Sequence, residues 1–338
     1  MKITVKSFKR VALGVAFALM SSTQVAMAED AALFQLDEKG YASTDLPLSV
    51  QQALYDAQLK FYKAKQALVN EALVTLEVEK QAKDSGKTVD EVALDLFKVE
   101  EATEEAINKF YADNKARINQ PLDKIKGQVK QLLEQNGQVA KQAEFLEKLK
   151  ADSVFKLGFD MPVAPFAEID ISGYPFKGAA DGKAVLIEFA DYQCPHCKRA
   201  ADVLKKVSEQ FKDDLKIVFL DFPVNRSGVS RKIAEGAACA YKQDKYWEYH
   251  DLAFSDQRAL NDAAMVGLAE KLKLDMDAFN KCIESDYPEE QVKRGQAEGA
   301  RLGVDSTPTL FLNGRRLHLH DLEKDLPVEI TKALEKAK

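Results

Sequence analysis

Four cysteines carry most of the chemistry this sequence offers, and their spacing divides them into two kinds. Cys194 and Cys197 bracket Pro195 and His196, whereas Cys239 and Cys282 stand alone. The Cys-Pro-His-Cys run follows a short apolar stretch, Ala184–Ala190 (AVLIEFA), and opens a segment patterned as a helix from Pro195 to Phe211. A cysteine where a buried strand gives way to a helix meets the unpaired N–H groups and positive dipole end of that helix. This environment, aided by His196, favours the thiolate over the thiol, whose pKa is ~8.5 when free. A stabilised Cys194 thiolate stabilises the reduced pair against its disulfide, so the pair gives its disulfide away readily. Pro195 has no N–H to leave unpaired and suits the first helical turn. Cys197, one turn inward, is the natural resolving thiol for a mixed disulfide on Cys194.

The same residue types serve other chemistry elsewhere. Half of a zinc site would need further ligands, but Cys239 and Cys282 are isolated and no His-x-x-His exists, so no metal is expected. An inert bridge across Cys194–Cys197 is disfavoured by the strand-then-helix context. Cys239 and Cys282 lie on two predicted helices, and in an oxidising compartment they are expected to form a structural disulfide. His250 follows Trp247 and Tyr249 on an amphipathic helix and is expected to pack. His318 and His320 alternate with leucines on a predicted hairpin strand, so both rings face one way. Two ligands make a weak copper or zinc site, and a surface pair is the preferred reading.

The surrounding chain must position this chemistry. It has 338 residues, 46% hydrophobic and 30% charged, a globular composition whose length favours two domains. The formal net charge of −6 gives no reason to expect a nucleic-acid surface. Lys2, Lys6, Lys9 and Arg10 precede a ten-residue apolar run, Val11–Met20, and Ala26-Met27-Ala28 supplies a small-x-small cleavage pattern. Residues 1–28 are therefore expected to be a signal peptide cleaved after Ala28, leaving an exported protein in which disulfides persist.

Residues 48–150 carry helical periodicity with little strand signal. In the first helix Leu54, Phe61 and Leu68 recur at seven-residue spacing, extended by Leu76, while Tyr55, Leu59, Tyr62, Val69 and Leu73 form a second apolar face. Such a helix calls for more than one covering neighbour. Gly86 stops it, Thr88 to Glu91 form a capping box, and Thr103 caps a short helix. Pro121 starts a long last helix with Ile125, Val129, Leu132, Val139, Ala143 and Leu146 inward and a break or bend at Asn136-Gly137. Prolines and glycines between 152 and 178 mark a connection. Strands at 184–190 and 215–222, a helical region over about 229–300, a hairpin at Asn313-Gly314 and a last helix at 328–337 follow. The order describes a thioredoxin-like α/β fold with a helical insertion, preceded by an all-α domain.

The stretch AVLIEFADYQCPHC resembles the active-site strand and motif of the DsbA family of thiol–disulfide oxidoreductases, as do SRKIAEGAACAYKQDKYWEYHDLAF and VDSTPTLFLNG downstream. The resemblance covers about residues 160–320. It implies a cis Pro308 opposite Cys194, with the backbone of Thr307 offered to a substrate strand. It also implies that Glu188 is the buried acid that moves a proton to or from Cys197. Threonine before the proline resembles the isomerase branch and the suppressor-of-copper-sensitivity C proteins more than the dedicated oxidase. Residues 48–150, through LYDAQLKFYKAKQALVNEALVTLEVEKQAKDSGKTVDEV and EEATEEAINKFYADNKARI, resemble the helical domain of SurA-type chaperones. No parvulin domain follows, so what carries over is a cradle for unfolded chains, with Tyr55, Phe61, Tyr62, Phe110 and Tyr111 as its candidate lining, or a homodimerisation module. The preferred place for those five rings is the helical core.

The expected organisation is a signal peptide (1–28), a SurA-like helical domain (29–155) and a DsbA-like thioredoxin domain (156–338). The expected function is periplasmic formation or reshuffling of disulfides in exported proteins, with no cofactor. Its partners are unfolded or misfolded clients and a membrane redox protein, either a quinone-linked oxidant or a DsbD-like reductant. The alternatives are a non-enzymatic periplasmic chaperone and a copper-tolerance thiol protein.

Overall fold

Local residues mark several helix ends within residues 48–151. In the computed structural model, which describes residues 32–115 and 117–336, the first helix is α1 (Leu48–Ser85), ended by Gly86 at φ 70°. Thr88 then caps α2 (Val89–Phe97): its hydroxyl accepts from the Glu91 N–H while the Glu91 carboxylate accepts from the Thr88 N–H. Thr103 caps α3 (Glu104–Asn114) through its hydroxyl alone, which accepts from the Ala106 N–H, and Pro121 stands immediately before α4 (Leu122–Ala151). The predicted export segment lies outside the described residues. The chain divides into two compact units, Met1–Pro47 and Leu48–Lys338. The described part of the first holds a small hairpin, β1 (Phe34–Leu36) with β2 (Lys39–Tyr41), turned by Asp37 and Glu38 at positive φ. Phe34 stacks on Tyr41 across it at 5.0 Å.

The helices pack through two small cores. Val78 and Ala82 of α1 meet Val92, Phe97 and Phe145, and Ile107 meets Ile125 and Val129. The two apolar faces of α1 are not equivalent: Tyr55 and Leu59 are buried, whereas Phe61, Leu68 and Leu76 are 70%, 65% and 63% exposed. The seven-residue stripe is thus the outer face. Of the five candidate lining rings, Tyr55 is buried, Tyr62, Phe110 and Tyr111 are half-buried, and Phe61 is exposed. On α4 the expected inner face also turns: Leu132, Val139 and Ala143 are exposed, and Leu133 and Phe145 take the inward positions. Nor does α4 break at Asn136-Gly137. A Cβ on Gly137 would lie 3.1 Å from Val99 Cγ1, so the glycine admits the α2–α3 connection against an unbroken helix.

The C-terminal half is built on a mixed sheet in the order β3-β5-β4-β6-β7. Its strands are β3 (Phe176–Gly178), β4 (Ala184–Ala190), β5 (Leu215–Asp221), β6 (Thr309–Leu312) and β7 (Arg315–Arg316). β4 and β5 run parallel, joined through α5 (Pro195–Gln210), and the other pairs are antiparallel. Between β5 and β6 stand α6 (Val229–Tyr241), α7 (Tyr246–Ser255), α8 (Ala264–Lys271), α9 (Met276–Ile283) and α10 (Tyr287–Arg301). Helix α11 (Leu322–Lys336) closes the chain. This is a thioredoxin-like fold with a helical insertion.

Three local expectations differ from it. β3 lies in what the glycines and prolines marked as connection. Gly178 sits at φ 89°, where a Cβ would strike the Leu215 carbonyl, so the residue that suggested a loop lets an edge strand close on β5. β7 ends at Arg316, which leaves His318 and His320 outside the strand. α11 starts at Leu322, capped by the Asp321 carboxylate through the Glu323 and Lys324 N–H groups, and accommodates Pro327 inside rather than starting after it.

Candidate active site

The tail of β4 and the head of α5 place the two cysteines. Cys194 is the N-cap residue of α5 with extended backbone, and Pro195 occupies the first turn. The connecting loop is fastened by groups that carried no motif. The Asp191 carboxylate, 1% exposed, accepts from the N–H groups of Gln193 (2.7 Å), Val224 (2.8 Å) and Asn225 (2.9 Å) and from the buried Ser230 hydroxyl. It ties the β4–α5 loop to the segment after β5. From the insertion, the Gln257 amide donates to the carbonyls of Tyr192 (2.8 Å) and Cys194 (2.9 Å). Single-sequence reasoning missed both; the acid after the strand was the available signal for Asp191, and Gln257 left none.

Both thiols are free. Cys194 is half-buried, and its Sγ donates to the Thr307 carbonyl at 3.3 Å. The Thr307–Pro308 peptide is cis, so a loop between α10 and β6 faces the cysteine from 113 residues away. Cys197 is fully buried beneath it. Burial first, and the neighbouring Glu188 second, push the Cys197 thiol far above the ordinary thiol range. Glu188 faces the inner side of β4 at 2% exposure, and burial pushes its carboxyl up to about 8. His196 is exposed, and its Nδ1 lies 2.5 Å from the Arg199 guanidinium one turn on. Together with Pro308, His196 and Arg199 line an open groove of about 790 Å³ that runs past His318 toward the start of α11.

Cys239 and Cys282 are bonded, joining α6 to α9 across 43 positions of chain. The two C-terminal histidines are both exposed and both line the groove beside Pro308, but from the segment after β7 rather than from a strand. His318 Nε2 lies 3.1 Å from Asp56 Oδ1 on α1 with its ring tilted against Tyr55, and the His320 backbone N–H donates to the Asp325 carboxylate. Among the described residues no cluster of three or more His, Cys, Asp or Glu side chains is placed to hold a metal. His250 is buried among Tyr192, Phe219, Tyr246, Trp247 and Phe254. On the same side of the sheet, Asp221 is held well above the usual carboxylate range by burial, 3.5 Å from the Tyr246 hydroxyl.

Comparison with known proteins agrees with the fold. Residues 172–331 match a family model described as thioredoxin. The chain is 30% identical over 159 residues to a Na(+)/H(+) antiporter NhaA of Herminiimonas arsenicoxydans, a match that takes in 47% of this chain and 25% of that protein. A second antiporter, NhaA 1 of Salinispora arenicola, is 31% identical over 144 residues, or 42% of this chain and 22% of that protein. The chain thus spans about a quarter of the length of these curated relatives. No helix among the described residues is long and apolar enough to cross a membrane. Similar solved structures include the thiol-disulfide exchange protein alpha-DsbA2 of Wolbachia pipientis, with 26% identity, a TM-score of 0.43 and coverage of 49% of this chain and 88% of that one. BdbD of Bacillus subtilis has 22% identity and a TM-score of 0.44, covering 52% and 98%. The catalytic domain of Proteus mirabilis ScsC has 22% identity and a TM-score of 0.44, covering 49% and 93%. Sheet order, insertion and family match agree on a thioredoxin-like domain over residues 172–331.

Proposed function

We propose that this protein is a thiol–disulfide oxidoreductase that forms or reshuffles disulfides in exported proteins, working in the periplasm after removal of residues 1–28. One observation carries the reading: the Cys194 sulfur sits at the start of α5, 3.3 Å from the Thr307 carbonyl, above a wholly buried Cys197. A thiolate at Cys194 attacks a client disulfide; one client sulfur leaves as a thiolate, and a mixed disulfide forms. Cys197 then attacks the Cys194 sulfur, the second client sulfur leaves, and the pair ends oxidised with two electrons passed to the client. Run in reverse, the same steps oxidise a client.

Each neighbour has a part. The Cys194 sulfur stands at the positive end of the α5 dipole with His196 two residues on, and Pro195 leaves no idle N–H at that turn. The backbone of Thr307 and Pro308 aligns the client strand. In its ionised form Glu188 takes the Cys197 proton as that sulfur becomes a nucleophile; a carboxyl titrating near 8 keeps both its forms within reach at neutral pH. The Cys239–Cys282 bridge fastens the insertion that carries Gln257.

Residues 29–155 are assigned to holding clients or pairing two copies of the chain, and residues 156–338 to exchange. The exposed Phe61, Leu68 and Leu76 on α1 favour such a contact surface. The pair is reset by a membrane protein, a quinone-linked oxidant or a DsbD-like reductant. Threonine at 307 favours isomerisation, and thiol trapping in cells separates the directions: a reduced pair marks an isomerase, an oxidised pair an oxidase. The chemistry is tested by insulin reduction with wild-type protein and Cys194→Ser. Wild-type activity lost in the variant is the expected result, and equal activity in both overturns the proposal.

A further inference from the structure

Glu188 must exchange its proton with water although it is buried, and a cleft beside it supplies a route. The cleft lies between β3–β5, α5 and α7, and its space of about 20 Å³ accommodates about one water molecule. Glu188 and His250 line it, and Lys177, Lys205 and Asp251 stand around it. Glu188 Oε1 and His250 Nε2 are both buried and have no hydrogen-bond partner within the protein. Buried polar atoms without a partner are uncommon, so two of them on one cleft of this size point to a shared occupant.

Hydrogen-bond chemistry identifies their roles. His250 Nδ1 is 2.8 Å from an Asp251 carboxylate oxygen, which can only accept, so Nδ1 carries the hydrogen and Nε2 presents its lone pair to the cleft. Burial lowers the imidazole's pKa and keeps it neutral, and the His250 contact holds Asp251 below the usual carboxylate range despite partial burial. Glu188 as a carboxylate also accepts, so one water can donate to both groups; once Glu188 holds a proton, its O–H donates to that water's oxygen. The other groups facing the site are the Cys197 thiol from α5, Asp221 from β5 with the Tyr192 and Tyr246 hydroxyls, Lys177 from β3 and Lys205 from α5. The lysines discourage a second positive charge on His250, which suits an acceptor better than a proton store.

We propose that this cleft is the proton port of the exchange site: one water, held by His250 Nε2, connects Glu188 to solvent, with His250 and Asp251 as positioning residues. In the resolving step the Cys197 sulfur bonds to the Cys194 sulfur, the client sulfur leaves with the electron pair, and the Cys197 proton goes to Glu188. That proton then passes through the bound water to solvent, and Glu188 is again a carboxylate. The inference rests on the proton-transfer role of Glu188 proposed above.

The test uses the full chain with His250→Phe, which keeps a ring in the aromatic cluster and removes the acceptor, and His250→Gln, which restores one. His250→Phe is expected to slow single-turnover resolution of a mixed disulfide about tenfold, less than the ~10²–10⁴-fold of a group that itself transfers the proton, because His250 only positions the water. Glu188→Gln combined with His250→Phe should be no slower than Glu188→Gln alone, and His250→Gln should recover most of the rate. Hydrogen–deuterium exchange of the Glu188 carboxyl, followed by its infrared carbonyl band, should slow about tenfold in His250→Phe and recover in His250→Gln, independently of catalysis. Unchanged carboxyl exchange, multiplying rate effects, or a His250→Gln variant as slow as His250→Phe would overturn the port. A wild-type protein inert toward disulfides would sink the functional reading instead, and the infrared arm would still decide the port.

Discussion

The molecule holds two cysteine pairs of the same chemical material in different states, one bonded and one free. Cys239 and Cys282 lie on two helices of the insertion, joined within a core with Tyr246, Tyr249 and Phe279 around them. Cys194 and Cys197 lie on one helical turn, the first half-exposed beside a backbone carbonyl of a distant loop and the second beneath it against a buried carboxyl. Placement therefore sorts them. A pair spanning two elements in a packed core restrains the chain, whereas a pair at a helix start, with one sulfur open and a buried carboxyl beside the other, has the placement that the proposed exchange requires.

Swapping the expected consequences is the sharpest way to break this contrast. Cys194→Ser should abolish insulin reduction, a loss of at least about a thousandfold, while Cys239→Ala with Cys282→Ala retains activity within about twofold at a temperature where both proteins are folded. Reversed outcomes would mean that the insertion pair is the working one. The double alanine variant should instead lose stability, ~4 kcal/mol for a loop of this length, read from the urea midpoint. Cys194→Ser should shift that midpoint little.

A second difference lies in what surrounds each pair, and pH exposes it. Glu188 titrates at about 8 in the folded chain and near 4.5 as a free side chain, so the fold retains a proton that the unfolded chain has released. Its favourable share is complete below about 4.5 and is lost as pH rises through about 8. Glu188→Gln has no such proton to lose, so its stability relative to wild type should rise with pH, by up to on the order of 5 kcal/mol above pH 8. A flat difference between the two across that window would show an ordinary, solvated carboxyl. The smallest effect is expected at Gln257, whose two hydrogen bonds fix the loop before Cys194. Gln257→Ala should cost ~1–2 kcal/mol in stability and lower kcat/KM for insulin reduction severalfold, without touching the redox pair.

What the sequence disclosed follows from how local its signals are. The Cys-Pro-His-Cys run, strand β4, the Thr88 and Thr103 caps and the end of α1 at Gly86 are each set by residues within a turn or two of one another. The proline-bearing loop facing Cys194 was inferred from resemblance, since no local rule joins positions 113 residues apart. The long-range fittings carried no signature at all. Gln257 reaches Cys194 from the insertion, and His250 and Glu188 come to one cleft from a helix and a strand. Ambiguity of another sort hid the outer face of α1, because two apolar stripes were present and only packing could choose between them. At Gly178 and Gly137, glycines that suggested a loop and a break serve close approach of backbone and side chain instead.

The account stands on unequal sulfurs at positions 194 and 197, and alkylation of the fully reduced protein by iodoacetamide at neutral pH, mapped by mass spectrometry, measures that inequality directly. It predicts that Cys194 is modified at least about tenfold faster than a free thiol such as glutathione while Cys197 stays unmodified in the folded chain. Equal labelling of the two, or a Cys194 no faster than glutathione, would contradict it.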